Sequence, residues 1–256
     1  MLFDTHAHYY DPEFNNDIED TIARARNNGV EYIITASCDV ASCVENVTLT
    51  QKYDIFYAAV GIHPHDAGDQ SDDVIMAIEE FASYPKVVAI GEIGLDYFYD
   101  NSPRDRQKEW FAKQISLARK LKLPVIVHDR DAHEDTLSIL KSENAKDAGG
   151  VLHCFSGSVE MARQVLDLGF MISVAGPVTF KNAKKLPEVV KFIPDDMLLI
   201  ETDSPYLTPE PYRGTRNESA YVRLVAEKIA EIKDRPIEYI EQTTTANAMR
   251  LFRIQK

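Results

Sequence analysis

The sequence predicts a single (β/α)8 barrel, an α/β fold, and three observations lead to that prediction. Short apolar runs of strand length alternate with longer amphipathic stretches along the whole chain, which predicts parallel strands joined by helical crossovers. Eight such runs occur in 256 residues, and a barrel of eight βα units needs about 250. Most runs are continuously apolar, as at residues 87–90, which is typical of strands covered on both faces. An open, doubly wound sheet is the alternative.

The predicted strands are rich in β-branched and apolar residues and are bounded by turn-forming residues. In chain order they are residues 2–8, 31–37, 55–63, 87–95, 124–128, 150–154, 170–175 and 198–203. The stretches between them have the apolar periodicity of amphipathic helices. In chain order these are residues 16–28, 40–52, 72–83, 104–121, 132–141, 158–168, 184–192 and 219–232, and a ninth helix, 237–252, closes the chain.

One long irregular segment, residues 204–217, follows the last predicted strand and contains three prolines. A loop of this length in a compact domain is usually either functional or a surface excursion. No linker rich in Gly or Ser and no repeat of fixed period divides the chain. We therefore expect residues 1–256 to form one domain.

The composition restricts the partners and the compartment. The formal net charge of −13 argues against bulk electrostatic affinity for nucleic acid or anionic membranes. The acidic excess lies in residues 1–103, which carry −15, whereas residues 104–256 carry +2. The three cysteines, Cys38, Cys43 and Cys154, form no CxxC pair, which favours a reducing compartment. Without a signal peptide or an apolar run of about 20 residues, we expect a soluble cytoplasmic monomer with no membrane contact.

Histidines are concentrated where the predicted strands end. His6, His8, His63, His128 and His153 each lie at or within a few residues of the C-terminal end of a strand. In a barrel these ends surround the face that carries active sites. His6 and His8 are two residues apart, so both side chains point to the same side of their strand. Imidazole is the commonest neutral metal ligand, and a buried, hydrogen-bonded pair is the alternative.

Two carboxylates belong to the same predicted rim. Glu92 lies inside an apolar strand between two glycines, where a buried carboxylate needs an ion pair, a metal ion or a proton. A salt bridge would require a basic partner, and the predicted strands contain no Lys or Arg. Asp203 ends the last strand. The two carboxylates suit two divalent cations bridged by Glu92, together with four imidazoles: His6, His8, His128 and His153.

Four motifs carry a resemblance to a known family. FDTHAH at residues 3–8, GEIGLD at 91–96, HCFSG at 153–157 and ETDSPY at 201–206, together with His128, resemble in order and spacing the signature of the TatD family. These are metal-dependent deoxyribonucleases of the amidohydrolase-like barrel superfamily. The resemblance covers essentially the whole chain and implies a barrel enzyme that hydrolyses DNA. The carboxylated lysine of that superfamily is absent, which argues against a dihydroorotase-like or urease-like enzyme.

Under this resemblance we expect two divalent ions and a two-metal mechanism. The first ion would be held by two imidazoles and two carboxylates: His6, His8, Glu92 and Asp203. The second would share the Glu92 bridge with two further imidazoles: His128 and His153. Glu92 and Asp203 are the predicted catalytic residues, and Asp203 would orient the attacking water and accept its proton. Glu201 would orient a histidine. The family is usually magnesium-dependent, and these donors also suit manganese or zinc.

The expected substrate is DNA, taken by a single-stranded end and digested as by an exonuclease. Six residues after strand ends or in the last long loop are candidates for substrate contacts: His63, His65, Arg130, Ser156, Arg213 and Asn217. Backbone N–H groups near Ser156 at a helix start suit a phosphate, and the Arg213 guanidinium could clamp one. Each candidate also has a simpler explanation, such as a turn, a helix cap or an exposed loop. Cys154 alternates with His153 and is expected to be a core thiol.

Two other functions stay open at this stage. The same ions could serve hydrolysis of an ester or amide, as in an aminoacyl-tRNA deacylase or a lactonase, because a fold does not select the bond that is cleaved. A non-catalytic binding protein built on a barrel would be expected to have lost a ligand, and none is missing from the sequence.

Overall fold

The eight strands form one parallel sheet, which confirms the predicted barrel. The computed structural model describes residues 1–255, and its strands pair in sequential order. The strands are β1 (Leu2–Ala7), β2 (Val30–Ala36), β3 (Phe56–Val60), β4 (Val87–Asp96), β5 (Val125–Arg130), β6 (Gly150–Leu152), β7 (Met171–Val174) and β8 (Leu198–Ile200).

The sheet closes where β1 meets the chain that follows β8. Ala7 and Ser204 form a parallel bridge. Beside it, the Asp203 N–H donates to His6 O at 2.9 Å, and the His8 N–H donates to Ser204 O at 2.7 Å. These links place three of the predicted ligands, His6, His8 and Asp203, at one seam of the barrel.

Nine α-helices alternate with or follow the strands within residues 1–255: α1 (Ile18–Asn27), α2 (Val40–Lys52), α3 (Asp73–Phe81), α4 (Arg104–Leu121), α5 (His133–Ser142), α6 (Val159–Asp167), α7 (Leu186–Phe192), α8 (Val222–Lys233) and α9 (Ile237–Phe252). The bounds of α2, α4 and α9 are those predicted. A capping box starts α2, since the Asp39 carboxylate accepts from the Ser42 N–H at 2.7 Å. In the described part of the chain, no helix has the length and apolar character needed to cross a membrane.

Three strand ends differ from the prediction in ways that matter for the site. β6 and β8 are only three residues long, and the chain turns beyond them at Cys154 and Asp203, where φ is +42° and +58°. His153 and Asp203 therefore lie just after their strands. β5 continues to Arg130, so one basic residue does lie on a strand, contrary to expectation.

Apolar side chains fill the barrel interior and close one of its ends. Every strand contributes to one buried cluster: Phe3, Ile34, Ala59, Ala89, Ile126, Val151, Met171 and Leu199. Phe252 of α9 belongs to the same cluster, and the Asn247 side chain of α9 donates to Leu198 O at 2.9 Å. Leu198 is the first residue of β8, so α9 covers the N-terminal end of the strands. The polar side chains are consequently gathered at the opposite end.

Candidate metal centre

All six predicted metal ligands meet at the C-terminal end of the barrel. His6 lies in β1 and His8 directly after it, Glu92 in β4 and His128 in β5; His153 and Asp203 follow β6 and β8. Most are nearly inaccessible to solvent, with Glu92 only 2% exposed. Because parallel strands of a barrel end on one rim, residues far apart in the chain come within a few ångströms.

One group of donor atoms surrounds the Oε2 atom of Glu92. His6 Nε2 lies 3.2 Å from Glu92 Oε2, and His8 Nε2 lies 3.7 Å from it. The same two nitrogens are 3.1 Å apart, and Asp203 Oδ1 is 3.7 Å from His6 Nε2 and 3.2 Å from His8 Nε2. Atoms bonded to one cation at about 2.0–2.2 Å lie roughly 3–4 Å from each other. These four side chains have that spacing.

A second group surrounds the other oxygen of Glu92. Oε1 lies 2.7 Å from His128 Nδ1 and 2.7 Å from His153 Nε2, and these two nitrogens are 3.2 Å apart. His63 Nε2 lies 3.5 Å from the same oxygen. His63, predicted as a substrate contact, is thus placed among the candidate ligands. The two carboxylate oxygens of Glu92 face two separate sets of imidazoles.

The chemistry of these donors fits divalent cations. Within residues 1–255, the ion-pair partners of Glu92 and Asp203 are all histidines, with no Lys or Arg among them. Among these residues, Glu92 therefore does not form the salt bridge to Lys or Arg that was the alternative to metal binding. Neutral imidazole nitrogens 3.1 and 3.2 Å apart need a shared proton or cation between their lone pairs. His6, His8 and Asp203 are close enough together to hold an ion, and so are His63, Glu92 and His128.

The charges of the carboxylates suit a role as ligands. Burial alone would raise the pKa of Glu92, but His153, His6 and His63 hold it well below its ordinary value. Burial alone would also raise the pKa of Asp203. The hydrogen bond to His8 and the nearby imidazoles outweigh this effect and lower it. Burial lowers the pKa of His63 to about 4. At neutral pH the site thus offers ionised carboxylates and, at His63, a neutral ring nitrogen.

Asp96 is a functional candidate that the sequence analysis missed. Its Oδ2 atom lies 2.9 Å from His65 Nε2 and 3.1 Å from His128 Nε2. Its Oδ1 atom accepts from the Phe98 and Tyr99 N–H groups at 3.0 and 2.8 Å. Asp96 therefore orients the imidazole of His128 from the side opposite Glu92. The sequence did contain a signal for Asp96, which is its separation of four positions from Glu92. Residues two and four positions after Glu92 lie on the same face of the strand.

Glu201, which was predicted to orient a histidine, lies beside His153. Its Oε1 atom lies 3.4 Å from His153 Nδ1 and accepts from the Cys154 N–H at 2.6 Å. Cys154 differs from the prediction of a core thiol. It is half-buried in a turn with a positive φ and lines a cavity beside the site, because the turn ends the alternation of the strand.

Cys38 was also missed. It follows β2, and its sulfur lies in one cluster with donor atoms of His8 and Glu92, all within 4.8 Å of one another. The Tyr10 O–H donates to Cys38 Sγ at 3.0 Å. Nothing in the sequence motif distinguished Cys38 from the other two cysteines, because its neighbours come from β1 and β4.

The remaining candidate substrate contacts have different environments. His65 binds Asp96, as described. Arg130 is exposed and stacks over Phe98 and Tyr99, with its guanidinium carbon 4.4 and 4.7 Å from the ring centres. Ser156 is exposed, and it is Ser158 that caps α6, its Oγ accepting from the Met161 N–H.

Arg213 and Asn217 are both in the loop after β8 but differ in exposure. Arg213 is exposed and lies over Phe180, with 3.8 Å to the ring centre. Asn217 is fully buried, and its side-chain amide donates to Thr202 O at 2.9 Å and Tyr206 O at 2.6 Å. These bonds hold the loop in place, so Asn217 is not available to a phosphate. Its predicted substrate role is corrected to a structural one.

Comparisons with known proteins extend over the whole fold. The family model described as TatD related DNase matches residues 3–253. YabD of Bacillus subtilis (strain 168), described as an uncharacterized metal-dependent hydrolase, is 52% identical over 254 residues, which cover 99% of this chain and 100% of YabD. A Klebsiella pneumoniae (strain 342) protein named 3'-5' ssDNA/RNA exonuclease TatD is 35% identical over 258 residues, covering 99% and 98% of the two chains. The crystal structure of YJJV, a TatD homologue from Escherichia coli K12, matches with a TM-score of 0.94 and 33% identity, covering 99% and 98%.

Proposed function

This chain belongs to the TatD-related DNase family, and from that premise we propose that it is a divalent-metal-dependent deoxyribonuclease. The substrate we assign is single-stranded DNA, digested from a strand end. The name of the Klebsiella relative, an exonuclease of single-stranded DNA and RNA, supports this assignment. The observation that carries the proposal is Glu92, whose two oxygens face separate imidazole groups. In this position Glu92 would hold a divalent cation together with each imidazole group, and two such cations suit the hydrolysis of a phosphodiester.

The ligand sets we propose follow the two sides of Glu92. His6, His8 and Asp203 would hold one ion with it, and His128 and His153 the other. His63 is an additional candidate for the second ion. When bound, divalent cations lower the pKa of water and offset the negative charge that builds on phosphoryl oxygens.

Asp203 is the residue we assign as general base. Its carboxyl is ionised, as its lowered pKa indicates, and an ionised carboxylate at the rim can orient a water molecule and accept its proton. His8, 3.2 Å from Asp203 Oδ1, fixes that oxygen. Glu92 contacts imidazoles of both groups, and Asp96 would fix the ring of His128 from outside. Glu201 is the nearest carboxylate to the outer nitrogen of His153, at 3.4 Å.

We further propose that the protein works as a cytoplasmic monomer. All three cysteines are free, which agrees with a reducing compartment. His65, Arg130, Ser156 and Arg213 stay candidate substrate contacts, because each is at least partly exposed and lies at the end of a strand or in a segment that follows one.

A cleavage assay tests the proposed function. The protein is stripped of metal, reloaded with Mg²⁺, Mn²⁺ or Zn²⁺, and given single-stranded oligonucleotides labelled at either end, duplex DNA, an aminoacyl ester and a lactone. We expect metal-dependent release of mononucleotides from single strands. Glu92→Gln and Asp203→Asn should each lower the rate about 10²–10⁴-fold. His133→Gln is the matched control. His133 is the first residue of α5 and contacts Asp129 of β5, not the candidate metal ligands.

Two results would contradict the proposal. DNA cleavage that persists in excess chelator would exclude the metal mechanism. Turnover of the aminoacyl ester or the lactone, without release of any nucleotide, would assign the same centre to an ester hydrolase.

A further inference from the structure

A cavity of about 450 Å³ opens beside the metal centre. It lies between the loop after β6, residues 154–157, and the segment after β7, residues 175–186. Cys154, which directly follows the candidate ligand His153, is one of its lining residues. Small-molecule sites usually have volumes of about 300–1,000 Å³, so the cavity has the size of a ligand site, and Cys154 places it next to the candidate ligand His153.

The lining of this cavity combines an apolar wall with a cationic rim. Phe155, Pro177 and Phe180 supply apolar surface, and Lys184 and Lys185 lie at the mouth, where both are exposed. Arg213 adds a third cation, stacked on Phe180. Among the described residues, no Asp or Glu lines the cavity, although the chain as a whole carries −13. A ligand with an aromatic ring and a phosphate matches this distribution.

Two glycines show that the walls of the cavity are closely built. A Cβ atom on Gly157 would lie 2.7 Å from the Phe155 ring, and one on Gly176 would lie 2.0 Å from Leu207 O. The loop after β8 is therefore packed directly against the segment after β7. The Glu210 N–H donates to Thr179 Oγ1 at 2.9 Å and strengthens this contact. The contact brings Arg213, on the loop after β8, to Phe180 on the cavity wall.

We propose that this cavity binds the terminal nucleoside of the DNA strand, with its base against Phe180 and its scissile phosphate directed to the metal centre. Lys184, Lys185 and Arg213 take the neighbouring phosphate at the mouth. This inference rests on the proposed function and extends it, because it assigns the subsite that receives the strand end. Every base has a π face, so an aromatic wall accepts any of the four nucleotides.

Binding of a mononucleotide tests the subsite without turnover. The metal-loaded protein is titrated with dAMP by calorimetry, and with inorganic phosphate, which has no base. Phe180→Ala should weaken dAMP binding about 5- to 100-fold, the effect of removing one base-stacking aromatic ring, and leave phosphate binding unchanged. Phe180→Trp should retain dAMP affinity, which controls for misfolding. Tyr84→Ala is the matched control, since Tyr84 is an exposed aromatic between α3 and β4, at the opposite end of the barrel.

Kinetics on a single-stranded oligonucleotide provide an independent readout. Phe180→Ala should raise KM by a similar factor while kcat changes less than about twofold, because the stacking is present in both bound states. If the wild-type protein cleaves DNA but Phe180→Ala changes neither dAMP affinity nor KM, the subsite is wrong and the proposed function stands. If dAMP binding requires Phe180 but no DNA is cleaved, the cavity is a nucleotide site and the proposed function fails.

Discussion

At the scale of single residues, β4 supplies both the central carboxylate and a group that orients one of its neighbours. Glu92 and Asp96 are four positions apart, so their side chains point to the same face. The His128 ring lies between them, with Nδ1 2.7 Å from Glu92 Oε1 and Nε2 3.1 Å from Asp96 Oδ2. A carboxylate on the outer nitrogen fixes the tautomer and the direction of the inner lone pair. His128 is therefore preset to present Nδ1 to the metal centre.

Replacing Asp96 by Asn should weaken metal binding without removing a proposed ligand. The amide oxygen can still accept from Phe98 and Tyr99 N–H, but an NH2 group would now face His128. We expect the affinity for the ion assigned to His128 and His153 to fall about 10–100-fold, measured by competition with a chromophoric chelator. Asp135→Asn is the control, because Asp135 contacts Tyr97 and Lys108 rather than a histidine. Unchanged affinity in Asp96→Asn would remove Asp96 from the centre.

The residues that could be predicted from sequence are those whose role follows from position on a strand. His6, Glu92 and His128 needed only the strand pattern and the rule that barrel sites lie at strand ends. Asp96 ends β4 on the same face as Glu92 and could have been found by the same rule. Cys38 could not, because it lies beyond the end of β2 and only the folded chain brings it next to His8 and Glu92. Asn217 was misjudged for a related reason: whether a loop amide meets substrate or backbone depends on how the loop folds back on itself.

At the scale of secondary-structure elements, glycines determine how closely β4 and β5 approach. Gly94 pairs with His128 in the sheet register and has a φ of +143°. A Cβ atom at this position would lie 2.0 Å from His128 O. β4 can therefore approach the backbone of His128 this closely only because residue 94 has no side chain.

Gly94→Ala should destabilise the barrel more than a glycine replacement in open space. Gly29 is the matched control, since its φ is +81° and an added Cβ would meet nothing within 4 Å. Gly29→Ala should cost only the positive-φ penalty, about 1–2 kcal/mol. Gly94→Ala should cost a further ~1–3 kcal/mol from overpacking, measured as the free energy of unfolding in urea. Equal losses in the two variants would show that β4 can shift away from His128.

Element bounds were predictable where local chemistry marks them. α4 and α9 start directly after Pro103 and Pro236, and the Asp39 capping box starts α2. The residues next to each helix start are therefore enough to predict it. The ends of β6 and β8 were not, since the chain leaves the extended conformation to bring Cys154 and Asp203 to the rim. Apolar pattern alone cannot distinguish the last paired residue of a strand from the first residue of a functional turn.

At the scale of the whole molecule, the uneven charge agrees with a substrate that enters at one place. Residues 1–103 carry the acidic excess, whereas the cations at the proposed nucleoside subsite, Lys184, Lys185 and Arg213, lie in residues 104–256. Attraction of a polyanion falls steeply with distance in salt, within about 8–10 Å. A locally basic mouth on an acidic protein therefore favours capture of a strand end over coating of long duplexes.

One buried carboxylate joins the two ends of the sheet in addition to the backbone links at Ala7 and Ser204. Asp4 of β1 is fully buried and accepts from the Thr202 N–H at 2.8 Å, the Thr202 O–H at 2.6 Å and the Ser219 O–H at 2.5 Å. Thr202 immediately precedes Asp203, and Ser219 leads into α8. The seam that aligns His6 with Asp203 is therefore held from behind by Asp4.

Asp4→Ala should open this seam, with a loss in both stability and metal binding. Each buried donor left without an acceptor costs about 1–3 kcal/mol, so the free energy of unfolding in urea should fall by at least that amount. Affinity for the ion at His6 and Asp203 should fall as well, because the two residues are no longer held in alignment. Asp167→Ala, at an exposed site on α6, should change stability by less than about 0.5 kcal/mol. A stable Asp4→Ala protein with normal metal affinity would show that the backbone links at His6 and His8 suffice to close the barrel, and that Asp4 plays no part in shaping the centre.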